Sequence, residues 1–186
     1  MVKDIDQDFI KNFYNAEKLY KENRFLESLE NYKVLLKQNP NHVSVLSNIG
    51  LIYERLNNFK ETITYYKKCV QILPNETILI HNLSNVYCKM ERYNEALPLL
   101  KKIINLDYQN EANSEKFALC LFNLHTKEEA KKFIKLAMSK FPKNNFLIEL
   151  YAKILLHLNL HKEAIILLQK STGLIEFNDN EVKYLS

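Results

Sequence analysis

The sequence predicts an all-α protein, a solenoid of about five antiparallel helix pairs closed by a short C-terminal capping segment. Three observations carry that prediction. Two glycines and four prolines in 186 residues leave almost no turn chemistry for β-hairpins. Pro40 and Pro74 stand 34 residues apart and Pro142 lies two further periods on, with Tyr108 where the intervening proline would fall. The same step gathers the small residues into two columns: Ala16, Gly50, Ser84, Ala118 and Ala152, then Ser28, Thr62, Ala96, Ala130 and Ala164. A fixed period of roughly 20 to 50 residues dictates the architecture of a whole chain, because each unit buries its apolar face only against the next.

Residues 1–8 form an acidic lead-in, and "MVKDIDQDF" lacks the apolar core of a signal peptide. The array spans 9–172, with repeats at about 9–42, 43–76, 77–110, 111–144 and 145–172. In the first, Asn15 takes a position held by Ile49, Leu83, Phe117 and Tyr151 in the others, as expected of an atypical terminal unit. The second shows the pattern most clearly. Leu46, Ile49 and Tyr53 lie at helical spacing, the polar turn "RLNNFK" follows, and Ile63, Tyr66 and Val70 resume the helical spacing. Between repeats three and four, Tyr108, Ser114 and Lys127 replace a proline and two large apolar residues, so this junction should be the least regular. After Thr172 comes a capping tail, 173–186. There Gly173 ends the last helix in a left-handed cap, and Leu174, Ile175 and Phe177 fold back over the open end of repeat five. "NDNEVKYL" is expected to form one more short helical turn.

Gly50 sits inside a predicted helix, where glycine costs about 1 kcal/mol relative to alanine. Helices that cross closely need small residues at the contact, which accounts for Gly50 and both small columns. A third column, Glu27, Glu61, Glu95, Glu129 and Glu163, falls in the first turn of each second helix, where a carboxylate faces the positive end of the helix dipole. The series Tyr32, Tyr66, Leu100, Ile134, Leu168 and Leu19, Tyr53, Tyr87, Leu121, Leu155 read as core.

The 34-residue period, the small residues at Gly50 and Ala96, Tyr53, Tyr66 and the closing Pro74 resemble the tetratricopeptide repeat (TPR) family over nearly the whole chain. The resemblance implies a right-handed superhelix whose concave groove, lined by the first helix of each repeat, binds a peptide or helix of another protein. By register the groove residues are Tyr14, Asn48, Leu51, His81, Asn82, Asn85 and Lys116. Asn48 and Asn82 are equivalent residues one repeat apart. In TPR proteins resembling the O-linked N-acetylglucosamine transferases such asparagines hold a peptide backbone, since an amide both donates and accepts. Asparagine also merely suits a solvated helix face. Lys21, Arg55 and Lys89 form a cationic column at the groove edge. They suit the negative ends of their own helix dipoles, and they would equally draw an acidic partner. The two-lysine, two-asparagine, one-arginine clamp of chaperone-binding TPR proteins is not matched in any frame.

No HExxH, GxSxG or Gly-rich phosphate loop occurs. His157 and His161 stand four apart, but the repeat register puts a turn between them. Cys69, Cys88 and Cys120 have no CxxC spacing and read as reduced thiols, so neither metal nor cofactor is expected. The net charge of +4 is dispersed, which speaks against nucleic acid, and no apolar run is long enough to span a membrane. The expectation is a cytoplasmic, non-catalytic interaction scaffold, monomeric by preference, with a protein or peptide partner of acidic character. The alternative is the substrate-recruiting module of a glycosyltransferase- or sulfotransferase-type enzyme whose catalytic part lies elsewhere.

Overall fold

The computed structural model describes residues 2–106, 110–124, 127–172, 175–178 and 181–184. They form two compact units, residues 1–90 and 91–186. The first holds α1 (Val2–Lys21), α2 (Phe25–Gln38), α3 (Val43–Arg55), α4 (Phe59–Ile72) and α5 (Thr77–Lys89). The second holds α6 (Tyr93–Leu106), α7 (Glu111–Asn123), α8 (Lys127–Lys140), α9 (Asn145–His157) and α10 (His161–Thr172). Within each unit every helix packs on the next, and in the second α7 also touches α9.

Both small columns are buried without exception. They mark where paired helices cross, and Ser28 makes the contact explicit by donating its hydroxyl to the Ala16 carbonyl at 2.7 Å. Gly50 has a sharper reason than a small residue opposite it. A Cβ built there would lie 2.5 Å from Cε1 and 2.6 Å from Cδ1 of Tyr66, so the ring occupies the space a side chain would need. Tyr66 is held there by its own hydrogen bond, donating to Glu54 Oε2 at 3.2 Å.

Among the described residues, the turn inside the helix pair repeats one conformation in four of the repeats. Asn23, Asn57, Glu91 and Asn159 have φ between 56° and 62°, and they share one register of the 34-residue period. Asparagine enters this left-handed region readily, whereas glutamate does so at a cost. The entries into α3, α4, α7 and α9 are capped by side chains, whereas Glu76 at the start of α5 makes no such bond. His42, Asn110 and Asn144 accept the amides of Val45, Asn113 and Leu147, and Asn58 caps α4 through Glu61 N. The glutamate column does fall in the first turns of α2, α4, α6, α8 and α10. Glu27 and Glu95 there accept from Arg24 and Arg92, each at 2.8 Å from the guanidinium Nε.

The tail departs from expectation. In place of a helical turn over "NDNEVKYL", β1 (Ile175–Asn178) and β2 (Glu181–Tyr184) pair antiparallel, with Ile175 opposite Tyr184 and Asn178 opposite Glu181. β1 touches α10. The alternation Ile175, Phe177, Val182, Tyr184 is a strand pattern, and Asp179-Asn180 is strong turn chemistry between its halves. Gly173, Leu174 and, at the junction of repeats three and four, Tyr108 lie outside the described residues. Ser114 is buried, donating to Asn110 O at 3.2 Å, and Lys127 opens α8.

Candidate functional site

The first helices α1 and α3 of the first unit stand side by side, with Tyr32 of α2 beneath them. Glu17, Tyr20, Lys21, Tyr32, Asn48 and Leu51 line a cleft of about 220 Å³. Asn48 and Leu51, both placed here by the sequence, are half-buried, and Tyr14 is 65% exposed on α1. Asn48 is not free: its Nδ2 donates to the Tyr32 hydroxyl at 2.8 Å, and Tyr32 is 1% exposed. Arg55 Nε donates to the Tyr20 hydroxyl at 3.1 Å. Both phenol oxygens therefore act as acceptors, and each retains a hydrogen to donate. Neither hydrogen has an acceptor among the described residues. Burial pushes the Tyr32 phenol well above its ordinary value, so it stays protonated and able to donate.

Pairing between repeats explains the cationic column. Arg55 reaches back to Tyr20, and Lys89 pairs with Glu54, whose other oxygen accepts from Tyr66. Tyr20 and Glu54 occupy one register, and Arg55 and Lys89 the next one. Each cation thus ties its first helix to the first helix of the preceding repeat. Lys21 lines the cleft instead.

On α5, His81 and Asn82 are half-buried. Asn85 Oδ1 is buried with no hydrogen-bond partner among the described residues. Lys116, half-buried on α7, belongs to the second unit. His157 ends α9 and His161 begins α10, so the turn predicted between them is present. Among the described residues no group of three or more His, Cys, Asp and Glu side chains converges as a metal site requires. Cys69 and Cys120 are buried free thiols, and burial pushes Cys69 up to about 11, away from reactive thiolate. No helix is long and apolar enough among the described residues to cross a membrane.

Stacked helix pairs with a buried small residue at each crossing define a helical-repeat protein of the all-α solenoid class. Residues 43–76 and 79–106 each match the tetratricopeptide repeat. The chain belongs to the tetratricopeptide-repeat family. Its fold is similar to that of YrrB, described as a TPR protein with an unusual peptide-binding site. That match has 19% identity over 92% of this chain and 89% of the other, and a TM-score of 0.81. It is also similar to MamA from Desulfovibrio magneticus RS-1, at 17% identity over 89% of this chain and 94% of that one, TM-score 0.80. No curated protein sequence matches it.

Proposed function

We propose that the chain is a non-catalytic, cytoplasmic scaffold that holds an extended peptide of a partner protein against the first helices α1 and α3. The observation that carries this reading is the cleft of Glu17, Tyr20, Lys21, Tyr32, Asn48 and Leu51. It combines an apolar floor with the donors and the acceptor that a peptide backbone needs. Phenol hydrogens from Tyr20 and Tyr32 suit main-chain carbonyls, and the Asn48 carbonyl oxygen suits a main-chain N–H. Lys21 is the one cation of the column lining this cleft, so an acidic residue in the partner belongs beside it. YrrB, similar in fold, is described as binding peptide, which fits the proposal without locating the site on this chain.

Affinity capture followed by peptide mapping would supply the ligand. Titration of that peptide against Lys21→Ala and Leu51→Ala is the test, because neither side chain holds the core together. Each substitution should weaken binding roughly tenfold. Wild-type affinity in both variants contradicts the assignment.

A further inference from the structure

The second unit carries a larger cleft between two second helices, α6 and α8, and the first helix α7. α6, α7 and α8 enclose about 390 Å³. Leu97, Phe117, Leu121 and Phe133 form its walls, and the two phenylalanine rings meet edge to face at 4.6 Å. Leu136 stands at the mouth, 52% exposed.

The same register one repeat later is also open. Tyr151, Leu155, Glu163, Ile166 and Leu167 line a second cleft of about 240 Å³. Tyr151, Leu155 and Leu167 are the residues 34 positions beyond Phe117, Leu121 and Phe133. Ile166, like Leu136, is 52% exposed. In repeat two, by contrast, the register is filled from within. Tyr53 and Tyr65, equivalent to Leu121 and Phe133, stack with centroids 5.7 Å apart, and Lys68, at the register of Leu136, stands 5.7 Å over the Tyr65 ring. The open clefts are thus a property of these repeats and not of the fold.

The charges around the first cleft select an occupant. Lys101 and Lys132 line it, are exposed and have no ion-pair partner among the described residues. One carboxylate, Glu129, lies at the rim. Beyond it, Ala130 to Ile148 contains five lysines and no acidic residue. The first helices α7 and α9 of neighbouring repeats are in contact, and packed helices lie about 10 Å apart, so two clefts one repeat apart are spaced like residues i and i+7 of an α-helix.

We propose that the α6–α8 cleft and its copy beside α10 dock an acidic amphipathic helix of a partner protein. Two bulky apolar side chains of that helix fill the clefts, and its carboxylates face Lys101 and Lys132. This surface is distinct from the α1–α3 cleft.

The test uses the full chain and two synthetic helical peptides of about 15 residues, each with leucine at i and i+7. One carries glutamate at the flanking positions and the other lysine. Fluorescence anisotropy at low salt should show the glutamate peptide binding at least roughly tenfold more tightly, with the difference shrinking as salt rises. Leu136→Lys, which copies Lys68, and Lys101→Glu with Lys132→Glu should each remove most of that affinity. Circular dichroism should match the wild type, since all three positions are exposed. Equal affinity for the two peptides, no binding of either, or wild-type affinity in these variants would overturn the proposal. So would a wild-type dimer on sizing that Leu136→Lys dissolves, since the occupant would then be a second copy.

Discussion

Replacing Gly50 by alanine sets two known effects against each other. An unobstructed helix would gain about 1 kcal/mol from the change. Here the new Cβ would lie 2.5 Å from the Tyr66 ring, about 1 Å inside normal carbon contact. The ring has little room to yield, being 2% exposed and hydrogen-bonded to Glu54, which Lys89 also holds. Overpacking of this kind costs about 1–3 kcal/mol, and weakening a hydrogen bond to a carboxylate adds about 1 kcal/mol or more. The net effect should be a loss of about 1–3 kcal/mol, a fall in Tm of roughly 2–12 °C for a chain this long. The decisive assay is a double-mutant cycle by urea denaturation. In a Tyr66→Leu background, which copies Leu100 one repeat later, Gly50→Ala should become neutral or stabilising. If the alanine stabilises the wild-type chain, or if its effect is the same in both backgrounds, the packing argument fails.

Asn48→Ala should cost about 1 kcal/mol by leaving the buried Tyr32 hydroxyl without its donor, and Tyr32→Phe should remove most of that cost in a denaturation cycle; strict additivity would show the bond contributes nothing. Glu91→Asn should stabilise by about 0.5–1 kcal/mol, because asparagine tolerates the left-handed backbone its equivalents Asn23, Asn57 and Asn159 adopt; an unchanged urea midpoint would speak against strain there. Alkaline stability should fall. Cys69, Tyr32 and Tyr66 all hold their protons more tightly when folded, because burial disfavours their anions. Stability is therefore fully present below the unfolded values and is lost as pH rises past about 9 for the thiol and about 10 for the phenols. Each group removes about 1.4 kcal/mol per pH unit, and Tyr66→Phe should reduce the slope above pH 10 by one such increment. A flat profile from pH 9 to 11 would contradict the burial of these groups.

Much of the fold is legible because burial imposes one period on the whole chain. Gly50, Ala96 and their equivalents sit at crossings where only small residues fit, so their columns can be read without coordinates. Side-chain direction is less legible. Tyr32 and Tyr66 share a register yet bond in opposite senses: Tyr66 to Glu54 of its own repeat, Tyr32 to Asn48 of the next. The reason is Tyr20, which stands where Glu54 does one repeat later and is taken by Arg55. That contrast could have been drawn from the column alone. Spacing places Asn48 on the groove wall but does not reveal its bond to a buried phenol, which depends on which way a ring turns. The hairpin signal lies in the alternation of Ile175, Phe177, Val182 and Tyr184, but it is short and its turn, Asp179-Asn180, lacks the glycine or proline that usually marks one. The clefts of the second unit are not legible in the sequence, because apolar residues at core registers look alike whether or not a neighbour fills the space before them.

The claim that α1 and α3 hold a partner peptide is tested most directly by amide chemical-shift mapping on the full chain. Titrating in the mapped peptide should shift the amides of Tyr20, Lys21, Asn48 and Leu51 with one common dissociation constant. Shifts that leave these four residues unmoved while the peptide binds would contradict the account.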